Sequence, residues 1–124
     1  MPTRILVVDD EPDIAKVLKI GLGKEGYHVD AFTDSREALS HFKPDYYDVL
    51  LLDIRMEPMN GFELSRELLR RDSKPKVCFM TAFEVDLSES KIVFPSLRVD
   101  AFIRKPFTTT EIIKLIETAL NSKK

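Results

Sequence analysis

Short runs of consecutive apolar residues, alternating with amphipathic segments, constrain the fold of this chain more than any other feature. The strongest runs are Ile5–Val8, Val49–Leu52 and Val77–Met80, each four residues long. A strand that is apolar at every position is typical of a parallel sheet, because such a strand is buried on both faces. Weaker runs at Val29–Phe32 and Ala101–Ile103 bring the number of expected strands to five.

The amphipathic segments between these runs carry helix-start signals. The candidate N-caps are Asp10, Asp34, Asn60 and Thr108. Residues 84–98 show apolar side chains without a helical period and include a proline, so we expect a short or irregular helix there. Strands that alternate with helices predict an α/β fold in which a parallel sheet lies between two layers of helices.

Length and composition indicate one globular domain over residues 1–124. The net charge of −2 gives no argument for nucleic acid or an anionic membrane as a direct partner. The single cysteine, Cys78, excludes an internal disulfide framework and fits a reducing cytosol, so we expect a cytoplasmic protein. The apolar run near the N-terminus is too short for a signal peptide or a membrane span.

Polar side chains follow the apolar runs where each strand is expected to end. Asp9 and Asp10 follow the first run, Asp53 the third and Thr81 the fourth, while Lys105 follows the fifth. Taken alone, each has an ordinary explanation, since an aspartate often ends a strand and a lysine is usually solvated. If the ordinary explanations were right, each would have to hold independently at its own strand end. These four strand ends meet at one edge of a parallel sheet, where ligands bind.

The combination indicates phosphoryl chemistry around a metal ion. Three carboxylates that crowd together repel one another, and a divalent cation among them would relieve this repulsion. Oxygen ligands without paired histidines or cysteines favour Mg2+ over zinc. A carboxylate beside Mg2+, a hydroxyl and an ammonium group forms the set that can capture and hold a phosphoryl group.

These residues stand in motifs that resemble those of the receiver domain of two-component response regulators. The matching segments are Ile5–Glu11, Leu52–Met56 with Met59–Gly61, Met80–Ala82 and Lys105–Phe107. The resemblance covers essentially all 124 residues. It implies a (βα)5 flavodoxin-like three-layer sandwich with a five-stranded parallel sheet in the order 2-1-3-4-5.

The resemblance implies that Asp53 accepts a phosphoryl group from a histidine kinase or a phosphotransfer protein, with Mg2+ as cofactor. Asp10 would bind Mg2+ directly and Asp9 through water. Asp53 and the backbone carbonyl of Arg55 would complete the protein ligands. On this view the chain is not an enzyme in the ordinary sense, because it would catalyse only its own phosphorylation and dephosphorylation.

The resemblance also assigns roles in holding and reading the phosphoryl group. Thr81 and Lys105 would each contact a phosphoryl oxygen, the Lys105–Pro106 bond would be cis, and the small Ala82 would leave room for the donor. Movement of Thr81 would free space for Phe102, which could otherwise be a plain core residue. The output surface would be formed by helix 4, strand 5 and helix 5.

Three features depart from the family pattern. Glu57 occupies the position that usually holds proline, and we expect it to be a solvated loop carboxylate. Arg55 and Phe83 occupy positions that flank the phosphoryl group, which predicts slow self-dephosphorylation. Residues 84–98 lack the usual helix and Gly-Ala turn, so no family dimer interface is transferred, although a homodimer that depends on phosphorylation stays open.

Two other classes of function compete with the phosphoacceptor. A Mg2+-dependent phosphohydrolase would normally carry a second aspartate two residues after its nucleophile, where this chain has Arg55. A docking module that has lost phosphorylation would not need Asp9, Asp53 and Lys105. The sequence leaves open the cognate kinase, the downstream target, and whether an effector domain, absent from this chain, belongs to the whole protein.

Overall fold

The five predicted strands form one parallel sheet in the computed structural model, which describes residues 2–82 and 95–121. The strands are β1 (Arg4–Val8), β2 (His28–Phe32), β3 (Val49–Asp53), β4 (Lys76–Thr81) and β5 (Ala101–Arg104). Their order is β2-β1-β3-β4-β5, and every neighbouring pair is parallel. The predicted fold class and strand order are therefore confirmed.

Four helices lie in the described part of the chain. They are α1 (Pro12–Lys24), α2 (Ser35–His41), α3 (Gly61–Arg71) and α4 (Thr109–Asn121). Helix α4 is the fifth helix of the sequence prediction. The irregular helix predicted at 84–98 lies largely outside the described residues, and the remainder of that stretch contains a turn at Pro95 and Ser96 without a helix.

Each strand buries alternate side chains in two separate cores, which makes the fold three-layered. Leu6 and Leu50 belong to the core on the side of α2 and α3. Ile5 and Leu51 belong to the core on the side of α1 and α4. All four side chains are completely buried, as expected for strands whose every position is apolar.

Three of the four predicted N-caps are confirmed. The Asp34 carboxylate accepts hydrogen bonds from two backbone N–H groups of α2. Asn60 and Thr108 each form a reciprocal capping box with the glutamate three residues later. The prediction for Asp10 was wrong, because the N-cap of α1 is Glu11. Asp10 stays exposed, while the carboxylate of Asp9 accepts the Glu11 N–H at 2.9 Å.

The segment before β5 is held by an arginine and an aspartate where the family usually has a Gly-Ala turn. The Asp100 carboxylate accepts the backbone N–H of Val77 at 2.8 Å, and the Arg98 Nε lies 3.2 Å from the same carboxylate. Arg98 also donates to the backbone carbonyls of Ser73 and Pro75. These contacts anchor β5 beside the start of β4.

Within the described residues, no helix is both long enough and apolar enough to cross a bilayer.

Candidate functional site

Three carboxylates meet where β1 and β3 end. Asp9 and Asp10 directly follow β1, and Asp53 is the last residue of β3. One oxygen from each carboxylate lies within 4.8 Å of the other two. Asp9 and Asp53 are buried, whereas Asp10 is exposed to solvent. The sequence prediction that these carboxylates lie close together agrees with this geometry.

The backbone around Asp53 is fixed on two sides. The Ile54 N–H donates to the Met80 carbonyl of β4 at 3.0 Å, and the Gly61 N–H donates to the Ile54 carbonyl at 2.9 Å. A Cβ atom on Gly61 would overlap the carbonyl oxygen of Asp53. The first residue of α3 must therefore be glycine for the helix to approach the end of β3 this closely.

Lys105 brings a positive charge into the carboxylate cluster. Its Nζ lies 2.8 Å from Asp9 Oδ2, 2.9 Å from Glu11 Oε1 and 3.4 Å from Asp53 Oδ2. The backbone N–H of Lys105 also donates to the Thr81 carbonyl at 2.7 Å. The Lys105–Pro106 peptide bond is cis, the geometry that the resemblance implies.

The cluster strongly perturbs the acidity of its members. Burial, followed by the negative charge of Asp9, raises the pKa of Asp53 to about 7, although Lys105 opposes the shift. Burial also raises the pKa of Asp9, despite its contact with the ammonium group. For Lys105, burial acts to lower the pKa, but the carboxylates of Asp9 and Glu11 outweigh it and raise the pKa. The lysine therefore stays charged.

The charge balance and the ligand types fit a hard divalent cation. A raised pKa at Asp53 means that Lys105 does not fully compensate the buried negative charge. Carboxylate oxygens within a few ångströms of one another are ligands that Mg2+ binds. Asp10 and Arg55 border the same open depression of about 540 Å³ beside the cluster, which leaves space for water ligands.

Thr81 lies at the end of the neighbouring strand. Asp53 is paired with Met80 in the register of β3 and β4, so Thr81 extends one residue further toward the same sheet edge. The side chain of Thr81 is completely buried, whereas Ala82 after it is exposed. Thr81 therefore lies at the same sheet edge as the carboxylate cluster and is followed by a small, exposed residue.

The remaining predicted residues have less defined surroundings. Phe102 is partly buried, packs against the core on the side of α2 and α3, and is opposite Phe79 in the register of β4 and β5. Phe83, which was expected to shield the phosphoryl group, lies outside the described residues. Glu57 is exposed, as predicted, and precedes a cis peptide bond to Pro58.

Sequence reasoning missed the contact between Glu11 and Lys105. The feature of the sequence that could have indicated this contact is Glu11 itself, the third of three consecutive acidic residues. Its place at the start of a predicted helix offered a simpler explanation. The two residues are 94 positions apart in sequence, so their contact depends on the packing of α1 beside the end of β5.

Comparisons with known proteins agree on the family. Residues 5–117 match the model described as the response regulator receiver domain. The regulatory protein VanRB of Enterococcus faecalis is 35% identical over 120 residues, which cover 97% of this chain and 53% of that relative. The chain thus spans about half the length of this curated relative.

Solved structures show the same fold. A CheY-like response regulator receiver domain protein from Methanospirillum hungatei JF-1 matches with a TM-score of 0.86 at 27% identity, covering 98% of this chain and 95% of that one. The non-phosphorylated HemR receiver domain from Leptospira biflexa matches with a TM-score of 0.84 at 25% identity, covering 98% and 97%.

Proposed function

Since the chain belongs to the family of response regulator receiver domains, which is consistent with two-component signalling, we propose that Asp53 accepts a phosphoryl group in a Mg2+-dependent reaction. The observation that supports this proposal most strongly is the position of Asp53 at the end of β3, between the carboxylates of Asp9 and Asp10 and the ammonium group of Lys105. The donor would be a histidine kinase or a phosphotransfer protein, and the setting would be the cytoplasm.

The transfer is a displacement at phosphorus. An ionised oxygen of Asp53 attacks, an O–P bond forms, and the P–N bond to the donor imidazole breaks. The electron pair of that bond goes to the imidazole nitrogen, which then takes up a proton. The attacking carboxylate must be ionised, and Lys105 favours the ionised form because it lies 3.4 Å away.

The carboxylates of Asp9, Asp10 and Asp53, with the backbone carbonyl of Arg55, would hold Mg2+. When bound, the ion supplies positive charge that favours the ionised carboxylate and the charge on the phosphoryl oxygens. The hydroxyl of Thr81 and the ammonium group of Lys105 would each contact a phosphoryl oxygen.

An apolar groove beside the site offers a place for the donor protein. The groove encloses about 480 Å³ and is lined by Ile14 and Val17 of α1 and by Phe107, and it reaches Ala82 and Lys105. Val17 is 58% exposed, so part of the groove surface that meets solvent is apolar. Because the groove is lined by Lys105, whose Nζ lies 3.4 Å from Asp53, we assign it to the phosphohistidine-bearing element of the kinase.

Readout of the phosphoryl group would follow from Thr81 and Phe102. Movement of Thr81 toward the phosphoryl group would change the packing around Phe102 and bias the surface that includes β5 and α4. The expected slow self-dephosphorylation rests on Arg55 and Phe83. The downstream target would be either a separate protein or an effector domain of a longer chain, and a homodimer that depends on phosphorylation stays open. We assign no direct binding of nucleic acid or membrane to this domain.

Neither competing function has a comparable observation in its favour. A phosphohydrolase would need a general acid two residues after Asp53, where Arg55 stands. A docking module without phosphorylation would have no use for two buried carboxylates around one buried ammonium group, which is a costly arrangement.

The proposal is tested by incubation with acetyl phosphate and Mg2+, followed by intact mass measurement. The unmutated chain should gain one phosphoryl group, and Asp53→Asn should gain none. Asp13→Asn, which removes an exposed carboxylate from the groove lining and leaves the carboxylate cluster intact, serves as the matched control and should still react. Retention of the adduct by Asp53→Asn, or its absence from the unmutated chain in the presence of Mg2+, would rule out Asp53 as the acceptor.

A further inference from the structure

Three carboxylates share the single ammonium group of Lys105. Its Nζ contacts Asp9, Glu11 and Asp53 at 2.8, 2.9 and 3.4 Å. The ammonium group donates hydrogen bonds to Glu11 and Asp53, whereas Asp9 Oδ2 forms an ion pair with it without a hydrogen bond. The side chain of Lys105 is only 8% exposed, and water has little access to it.

Glu11 differs from the other two partners of Lys105. Asp9 and Asp53 are buried at strand ends, whereas the side chain of Glu11 is 60% exposed at the start of α1. The backbone carbonyl of Glu11 accepts the first hydrogen bonds of the helix, from Ile14 and Ala15. Its carboxylate makes no capping hydrogen bond within the described residues and points instead to Lys105.

On the premise that Asp53 is the phosphoacceptor, we propose that Glu11 is a positioning residue that competes with the phosphoryl group for Lys105. A phosphoryl group on Asp53 replaces the free carboxylate there with new acceptor oxygens, while the ammonium group still faces the carboxylates of Asp9 and Glu11. The phosphoryl oxygens therefore compete with Asp9 and Glu11 for Lys105. Glu11 can return to water at little cost, whereas release of Asp9 would leave a buried charge without its partner.

The position of Glu11 also places it on the route of the donor. Glu11 and Lys105 both line the groove that opens beside Ala82. A phosphodonor that enters there is anionic, so it meets the carboxylate of Glu11 before it reaches the ammonium group. Removal of this carboxylate should therefore speed the approach of the donor, a kinetic effect that is separate from the competition for Lys105 at equilibrium.

The test measures the affinity for beryllofluoride, a phosphoryl mimic, at saturating MgCl2 by calorimetry or by NMR titration. Glu11→Gln keeps the size of the side chain and removes its charge, so we expect roughly two- to fivefold tighter binding, in the range of a partly exposed ion pair. Asp13→Asn removes the same charge two residues away and should change the affinity less than twofold.

Two further variants separate contact from charge. Glu11→Asp keeps the charge but withdraws the carboxylate from Lys105, so it should behave like Glu11→Gln. In a Lys105→Ala background, Glu11→Gln should have no effect on affinity. Thermal unfolding of each variant establishes that it is folded, and the Glu11→Asp comparison stands on its own if Lys105→Ala does not fold.

The inference is overturned if Glu11→Gln binds the mimic no better than Asp13→Asn, or if its effect persists without Lys105. Weaker binding in Glu11→Gln would also overturn it, because Glu11 would then support the bound state. These results would leave the phosphoacceptor assignment intact, provided that the unmutated chain binds beryllofluoride. Failure of the unmutated chain to bind it would remove both proposals together.

Discussion

The carboxyl group of Asp53 is a source of pH-dependent stability in the metal-free protein. Its pKa rises from 3.8 to about 7 on folding, through burial and the charge of Asp9. Below about pH 4 the group is protonated in both states. Between about pH 4 and 7 the unfolded chain releases a proton that the folded chain keeps, so the free energy of unfolding falls as the pH rises and then levels off.

Asp53→Asn removes this ionisation and should stabilise the metal-free protein at pH 8 by on the order of 1–4 kcal/mol. The gain should shrink toward zero near pH 4, where the native carboxyl group is neutral. Urea unfolding in EDTA at several pH values measures the difference. Asp13→Asn, which changes an exposed carboxylate, should show no such trend, and a gain in Asp53→Asn that does not depend on pH would contradict the explanation.

Cys78 should be chemically inert in the folded protein. The side chain lies in β4 with no exposed surface, and burial raises the pKa of its thiol to about 12. Since the thiolate is the reactive form, its fraction at pH 8 is on the order of 10⁻⁴ even before access is considered. Modification by a thiol reagent should be at least about a thousandfold slower than for free cysteine and should become fast in denaturant. Immediate stoichiometric reaction of the native protein would show that β4 opens readily.

At the scale of elements, the approach of α3 to β3 determines where Asp53 stands. Gly61→Ala would place a methyl group against the Asp53 backbone, and backbone cannot yield as a flexible side chain can. We expect a loss of stability of roughly 1–3 kcal/mol and weaker binding of beryllofluoride, because the end of β3 must shift.

Gly23→Ala is the matched control for this substitution. Gly23 lies within α1, and a Cβ atom there meets no other atom within 4 Å. Alanine should therefore leave mimic binding unchanged and raise stability by up to about 1 kcal/mol through helix propensity. Equal effects of the two substitutions, measured by thermal unfolding and calorimetry, would show that the contact between α3 and β3 does not position the acceptor.

The strands could be predicted because burial on both faces leaves a direct trace in the sequence, as in Val49–Leu52. The caps at Asn60 and Thr108 were also predictable, since a capping box depends on residues three positions apart. The predicted N-cap of α1, Asp10, is one residue before the observed one, Glu11. Three acidic residues adjoin the start of this helix, and it is the carboxylate of Asp9 that accepts the N–H of Glu11. Local pattern does not specify which of three neighbouring carboxylates turns inward.

The residues of the candidate site could be predicted from the sequence, but the contacts between their side chains could not. Parallel strands bring their carboxyl ends to one edge, so Asp9, Asp53 and Lys105 were expected to meet. Which carboxylate Lys105 contacts depends on side-chain geometry between distant segments, and the contact with Glu11 spans 94 positions. The link from Arg98 to the segment before β4 has the same origin, since its partners there are backbone carbonyls more than twenty residues away.

For the molecule as a whole, binding at the acidic cluster should be linked to the stability of the fold. A cation that binds only the folded chain stabilises it by mass action, so Mg2+ at ten times its dissociation constant adds about 1.4 kcal/mol. For a domain of this size the melting temperature should rise by roughly 4–7 °C. At a fixed Mg2+ concentration the increase should be larger at pH 8 than at pH 5, because at pH 5 the folded protein holds a proton on Asp53 that Mg2+ must displace.

Differential scanning calorimetry in MgCl2, with NaCl at matched ionic strength as reference, measures this linkage. Asp10→Asn removes an exposed carboxylate of the cluster and should reduce the Mg2+-dependent increase while leaving the melting temperature in NaCl nearly unchanged. Asp34→Asn retains a capping oxygen at α2, away from the cluster, and should keep the full increase. An increase of the same size in Asp10→Asn would mean that Mg2+ stabilises the protein elsewhere, and the assignment of Asp9, Asp10 and Asp53 as its ligands would fail.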